Sequence, residues 1–386
     1  MRILFCNYEY PPLGGGGGVI NALLAEELAK QHEVTVLTSQ GLDLPRSSIE
    51  NGVRIVRAPV FFRRQKAAAN IPSLLAYIPM GIRAGRELLG SESFDIINTH
   101  FVIPSGPVGH HLSRFAHIPN ILSVHGGDLY DPSKLTSPHR HAILRSWIRH
   151  LLRKADYIVG QSQNTVQNVH NYYDASVEVS RIPLGIKRPP KVDAQRQSYG
   201  FESDDILFVT VGRLVGRKAV DQLISNLHRL ENPKVHLLII GDGPQQPMLM
   251  ELATSLGIDK QVHFYGFVDE MEKFRLLSIA DIFATTSQHE GFGLVFLEAM
   301  AFGLPIVCYN HGGQEDFLEN EKTGFFLPLN DKDAFISGCR HLSENADLRK
   351  NLGNNNRELV ETYFIEHCAN QYEELFTRII QDKNKM

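Results

Sequence analysis

The 386-residue sequence predicts an α/β protein built from two doubly wound, Rossmann-like domains facing a cleft. Three observations lead there. Short, continuous β-branched and aliphatic runs recur along the chain, separated in many places by stretches of helical periodicity, the pattern of parallel strands buried on both faces. Two segments open with the same grammar of buried strand, glycine-bearing loop and apolar-periodic helix. The length also exceeds what one hydrophobic core ordinarily supports.

The first such unit begins with a strand over residues 2–7, passes through a Gly-rich loop and enters a helix from about Val19 to Lys30. Further strands are expected at 33–38, 54–58, 95–99, 120–124 and 157–160. The second unit begins at 206–212, has a helix from about Val220, and continues with strands at 235–240, 262–265, 281–285 and 305–309. The polar, Pro-containing stretch 187–204 reads as the linker, which sets domain limits of 1–187 and 188–363. Parallel sheets of this kind take ligands at the carboxyl ends of their strands, and a cleft between two of them suits a two-substrate reaction.

Apolar residues make up 43% and charged residues 21%, which excludes a disordered, collagenous or disulfide-scaffolded chain. Cys6, Cys308, Cys339 and Cys368 are scattered without a CxxC pair or metal-ligand spacing, so a reducing, cytoplasmic setting is expected. A strand pattern starting at Arg2 leaves no room for a signal peptide, and no apolar run approaches the roughly 20 residues of a membrane span. No nucleic-acid partner is expected. Residues 1–190 carry 20 Lys+Arg against 14 Asp+Glu, and the remainder 19 against 29. This asymmetry fits either an anionic partner for the first half or ordinary surface variation.

Four segments carry the chemistry. The first runs from Glu290 through Gly291, Phe292, Gly293 and Leu294 to Glu298 and Pro305, after a strand ending near Thr285. Its glycines leave backbone N–H groups bare at the start of a helix, a diphosphate-binding arrangement, and its two carboxylates are spaced to accept hydrogen bonds from two different diols. Alone, the Glu–x7–Glu spacing is weak, since Glu298 also fits a surface helix position and Glu290 a cap. The second is Gly212-Arg213-Leu-Val-Gly-Arg217-Lys218, where cations at a strand's carboxyl end can stabilise a departing diphosphate without metal. The third, Pro11-Pro-Leu-Gly14 through Gly18, lacks the register and the downstream acid of a dinucleotide fingerprint. It reads instead as a side-chain-free loop that lets backbone amides approach a phosphate or an acceptor. The fourth is His125-Gly-Gly-Asp128 at the end of strand 120–124, placing an imidazole towards the cleft, where it can meet a sugar hydroxyl or developing positive charge. Arg63, Arg64 and Lys66, and Arg145, Arg149 and Arg153 at helical spacing within 140–154, form basic clusters. The latter helix, with Ile143, Leu144, Trp147, Ile148, Leu151 and Leu152 on its other face, fits a membrane-surface element or a core helix with a solvated side.

Together these residues resemble the group-one (family four) retaining glycosyltransferases of the GT-B fold over nearly the whole chain. The resemblance rests on Pro-Pro-x-x-Gly15-Gly16, His125-Gly-x-Asp128, Ile182-Pro-x-Gly185, Gly212-Arg213-Leu-x-x-x-Lys218, Gly241-Asp-Gly-Pro, the Glu290–Glu298 block and His311-Gly-Gly. It implies transfer of a sugar from a nucleotide diphosphate donor, UDP- or GDP-linked, to a glycan or lipid-linked acceptor, with retention and without a metal or other cofactor. It further implies cell-surface polysaccharide or glycolipid synthesis and peripheral contact with an anionic membrane. The first domain would then be the acceptor side, the second the donor side, and a C-terminal helix within 364–386 would cross back to the first.

By the same resemblance Arg213 and Lys218 hold the diphosphate. Glu290 with the Gly291–Gly293 amides positions the sugar, Glu298 binds the ribose, His125 approaches the transferred sugar, and the Gly15-Gly16 loop orders on binding. Asp128, Gly241, Phe267, Val268, Phe292 and Leu294 complete the expected donor site. The only D-x-D, Asp331-Lys-Asp333, reads as a helix cap. The sequence departs from the family at Ala219, often Gly, at Leu184-Gly-Ile-Lys187 in place of Asn-Gly-Val-Asp, at Gln31-His32, which lacks the usual Gly before His, and at the acid after Gly313, filled by Glu315 or Asp316. The competing readings are a same-fold epimerase and a non-catalytic sugar-nucleotide-binding protein.

Overall fold

The computed structural model describes residues 1–41, 43–61, 63 and 69–385. The chain divides into two compact units, Met1–Lys187 with Tyr363–Met386, and Arg188–Thr362.

The first unit is an eight-stranded sheet. Its strands are β1 Arg2–Asn7, β2 Glu33–Gln40, β3 Ser47–Glu50, β4 Val53–Pro59, β5 Ile96–His100, β6 Asn120–Val124, β7 Tyr157–Gly160 and β8 Ser180–Arg181. They lie in the order β3-β4-β2-β1-β5-β6-β7-β8, parallel throughout except for β3. The helices are α1 Gly16–Leu28, α2 Ile71–Ser91, α3 Ser105–Ala116, α4 Ala142–Lys154 and α5 Gln163–Tyr172. Alternate residues of β1 serve opposite faces. Ile3 and Phe5 join a core with Leu24 and Leu28 of α1 and with Tyr372, Phe376 and Ile379 of the C-terminal helix, Ile365–Lys385. Leu4 and Cys6 join another with Tyr77 of α2 and Val108 and Leu112 of α3. Burial on both faces explains why the strand reads as a continuous apolar run.

The second unit is a six-stranded, all-parallel sheet in the order β11-β10-β9-β12-β13-β14. Its strands are β9 Ile206–Val211, β10 Val235–Ile240, β11 Val262–Gly266, β12 Ile282–Thr285, β13 Ile306–Tyr309 and β14 Gly324–Leu327. Its helices are α6 Val220–His228, α7 Gln246–Ser255, α8 Glu270–Ile279, α9 Leu294–Ala301, α10 Lys332–Glu344 and α11 Ala346–Val360. The strand order reverses between β1 and β5 in the first sheet and between β9 and β12 in the second. Ligands of such sheets bind outside the carboxyl ends at these switch points.

The structure corrects several expectations. α1 starts at Gly16, not Val19: the Gly15 carbonyl accepts from Gly18 and Val19 N–H groups at 3.0 and 3.2 Å, so Gly16 through Gly18 form its first turn instead of a free loop. Three strands, β3, β8 and β14, were not anticipated. Arg63 is buried over the Tyr8 ring, 5.0 Å from its centre, so it is no surface cation, while Arg64 and Lys66 lie outside the described residues. Asp331 does cap α10, accepting from Ala334 N–H at 3.0 Å. Among the described residues, no helix is long and apolar enough to cross a membrane.

Candidate functional site

In the second unit the loops after β9 and β12 flank the switch point and are tied together. Gln288 N–H donates to the Arg217 carbonyl at 2.8 Å, and Thr286 Oγ1 to the Ala219 carbonyl at 2.7 Å. The loop after β9 forms a 3-10 turn, Gly216–Lys218, ending at Ala219 with φ of 46°, a left-handed conformation that glycine adopts at less cost. This turn aims two cations at one carboxylate. Lys218 Nζ lies 2.5 Å from Glu290 Oε1, and Arg217 Nη1 lies 3.0 Å from Oε2 while also donating to the His289 carbonyl at 2.5 Å. Burial by itself raises the Glu290 carboxyl, but Lys218 and Arg217 outweigh it and hold the group down at about 2. Glu290 is therefore an anion whose removal leaves two clustered cations.

Beyond Glu290, α9 opens with Gly293 at its N-cap and no side chain capping it among the described residues, so its first amides present the helix's positive end. Phe292 turns its ring into the core against Phe317, with centroids 5.3 Å apart, leaving its backbone as the part able to face a ligand. Leu294 is half-buried. Glu298, in the second turn of α9, pairs through Oε1 with Lys273 Nζ at 2.7 Å.

The other expected donor-site residues spread along the same strand ends. Gly241 follows β10 with φ of 129°, its N–H donating to the Gly266 carbonyl at 2.7 Å; an added Cβ would sit 2.1 Å from the Gly212 carbonyl oxygen, so this approach admits only glycine. Phe267, just past β11, is exposed and Val268 half-buried. Arg213, expected to share the diphosphate with Lys218, is exposed; its carbonyl accepts from Val215 N–H at 2.9 Å, while its guanidinium has no hydrogen-bond or ion-pair partner among the described residues. Arg217 is the cation that the structure sets beside Lys218.

The first unit gathers a different set. At the ends of β5, β6 and β7, His100, His125 and Gln161 lie in a row. Gln161 Nε2 donates to the His125 carbonyl at 2.5 Å, which turns Gln161 Oε1 towards His125 Nδ1 at 3.1 Å and fixes Nδ1 as the protonated nitrogen. His125 Nε2 then accepts from His100 Nδ1 at 2.9 Å. Both nitrogens of the imidazole that was expected to approach the transferred sugar are thus engaged within the unit. Burial lowers the imidazole to about 4 against a small upward pull from Gln161, so it is neutral near pH 7. Asp128 accepts from the N–H groups of His125 and Val102 at 2.9 and 2.8 Å. Burial nevertheless lifts it to about 6, and it serves as a loop clamp. Gly15, at the N-cap of α1, donates its N–H to Glu9 Oε2 at 3.3 Å, so a carboxylate already stands at that helix end. Gly16 lies in the first turn and is exposed.

Sequence reasoning did not single out Glu9, His100, Gln161 or Lys273. His100 and Gln161 carry a usable signal, since each stands at the carboxyl end of a strand; Lys273 sits on an ordinary helix and carries none. No group of three or more His, Cys, Asp or Glu able to hold a metal occurs among the described residues.

Family models match both units: "Glycosyl transferases group 1" over residues 191–359 and "Glycosyltransferase Family 4" over residues 14–188. The N-acetyl-alpha-D-glucosaminyl L-malate synthase of Bacillus anthracis is 25% identical over 389 residues, covering 97% of this chain and 96% of that protein. Among solved structures, sucrose-phosphate synthase from Thermosynechococcus elongatus superposes with a TM-score of 0.86 at 22% identity, covering 99% of this chain and all of that one. The Anabaena protein HepE in complex with UDP gives 0.79 at 19% identity, covering 98% and 100%. Two matched domains and whole-chain likeness define a GT-B glycosyltransferase. The chain belongs to the group-one glycosyltransferases of family four.

Proposed function

We propose that the protein is a retaining, metal-independent hexosyltransferase that moves a sugar from a nucleotide diphosphate donor to a glycan or lipid-linked acceptor in surface polysaccharide or glycolipid synthesis. The observation that carries this reading is the convergence of Lys218, Arg217, Glu290 and the uncapped start of α9 at one switch point. Bond cleavage in such a donor leaves growing negative charge on the diphosphate. Two preorganised cations and a row of helix-end amides can accept that charge without a metal ion, because they need no reorganisation as it develops. Glu290, ionised throughout the neutral range, then faces the sugar as a hydrogen-bond acceptor. The occurrence of UDP in the structural neighbour supports the donor class.

The test is incubation of the full chain with a panel of UDP- and GDP-sugars and candidate acceptors, with and without a chelator. The expected result is acceptor-dependent release of the nucleoside diphosphate, unchanged by the chelator, and a product that keeps the donor's anomeric configuration. Epimerised donor without release, or turnover abolished by chelation, would overturn it.

Peripheral membrane contact is part of the same proposal, and α4 supports it. Ile148, Leu151 and Leu152 face the core, whereas Ile143 at 85% exposure and Leu135 at 80% project outward, close in sequence to Arg140, Arg145, Arg149 and Lys134, the last paired with Asp131 at 3.0 Å. Residues 134–154 contain no acid. Exposed apolar residues in a cation-rich segment match an anionic lipid surface. The wild type is expected to co-sediment with vesicles containing anionic lipid and not with neutral ones, and Ile143→Asp with Leu135→Asp to release it. Equal sedimentation of wild type and variant rejects this surface.

A further inference from the structure

Glu298 has two unlike oxygens. Oε1 takes the Lys273 ammonium at 2.7 Å, while Oε2 is buried with no hydrogen-bond partner among the described residues. Lys273 is held as well: its Nζ lies 4.9 Å from the centre of the Phe274 ring, and its side chain is only 18% exposed. A buried carboxylate oxygen left without a donor is costly and uncommon in a folded protein, so one that persists calls for an explanation outside the chain's own contacts.

We infer that Lys273 is a positioning residue for the nucleotide: it anchors one oxygen of Glu298 so that the other is presented to a ribose hydroxyl. The inference rests on the reading of Glu298 as the ribose-binding carboxylate. Burial pushes the group up, Lys273 opposes without cancelling the push, and Glu270, one turn earlier on α8, adds to it, so the carboxyl stands above its ordinary value. Of the elements packed on α9, α11 sends Arg357 to the Phe302 carbonyl at the helix's far end, and β13 carries no charged side chain. Lys273 is therefore the cation that keeps Glu298 an acceptor at both oxygens. Without it the carboxyl takes up a proton more readily and is free to turn.

Calorimetric titration of the full chain with UDP, GDP and their 2′-deoxy counterparts tests this. Wild type is expected to favour the ribose form of its nucleotide by about tenfold, a single hydrogen bond to a charged group. Lys273→Met should lose that preference at pH 7 and weaken binding by about tenfold, with affinity recovering as pH rises and Glu298 ionises, a dependence that wild type shows only at lower pH. Lys273→Arg should restore both, and Lys273→Gln, which keeps a polar head, should show the same pH dependence if the Met variant does not fold. Wild-type preference and a flat pH profile in Lys273→Gln or Lys273→Met overturn the inference. If Glu298→Gln loses the preference while the Lys273 variants keep it, only the positioning role fails; if Glu298→Gln also keeps it, the ribose reading itself falls.

Discussion

Replacing Lys218 by alanine is expected to lower turnover by about 10²- to 10³-fold, roughly 3–4 kcal/mol of transition-state stabilisation, while leaving the protein folded. The separation of the two effects follows from the cluster's geometry. Glu290 has a second cation, since Arg217 Nη1 reaches Oε2 at 3.0 Å and is itself braced on the His289 carbonyl. Loss of the lysine therefore does not strand a buried carboxylate. The converse change differs: Glu290→Ala removes the anion from Lys218, whose side chain is 13% exposed, and leaves two like charges side by side. That variant should lose about 3 kcal/mol of stability as well as turnover. Chemical denaturation beside steady-state kinetics separates the cases. Arg213→Ala, which removes an exposed cation with no partner among the described residues, should cost turnover far less than Lys218→Ala. Equal losses from Arg213→Ala and Lys218→Ala would mean that the partner of Lys218 is not Arg217.

How far the sequence discloses this arrangement depends on the kind of fact. β1, β2, β9 and β10 announce themselves because both faces are buried, and a run such as Ile206–Val211 has no other use. β3 gives no such sign: Ser47–Glu50 is largely exposed, antiparallel and at the sheet edge. β8 is two residues long, and β14 is a short strand opened by a glycine. The start of α1 eludes propensity because three glycines are poor helix formers; the turn holds through Gly15 and the packing around it, where a Cβ on Gly17 would lie 2.3 Å from the Phe101 ring. At the site, position on a strand end is legible and side-chain partnership is not. Arg213 and Arg217 are equally cationic in the sequence, and only the 3-10 turn selects Arg217. His125 reads as a group free to meet substrate, yet two neighbouring strand ends supply the atoms that occupy it. The glycines after β13 were legible as part of a motif, and their physical purpose emerges only from the loop they touch.

That purpose supplies the second large effect. Gly313→Ala is expected to lower stability by about 3 kcal/mol and, in whatever fraction stays folded, to reduce turnover by about 10²-fold. Gly313 N–H donates to the Glu290 carbonyl at 2.8 Å, and Glu290 and Gly312 form an isolated parallel bridge, so the loop after β13 sets the height of the loop after β12. A Cβ on Gly313 would lie 2.0 Å from the Gly291 carbonyl oxygen and 2.8 Å from Phe292 Cα. Both are backbone atoms, and no rotamer change relieves them. The loops must part, carrying Glu290 away from Lys218 and the start of α9 away from both. Gly90→Ala is the control: it lies exposed in α2 with nothing within 4 Å of its would-be Cβ, and helix propensity favours the change by about 1 kcal/mol. The measurements are denaturant unfolding for both variants, with turnover and nucleoside diphosphate affinity for each folded protein. Wild-type affinity in Gly313→Ala would show that the β12 loop holds Glu290 in place without the β13 glycines, and that the stitching between the two loops is not what builds the site.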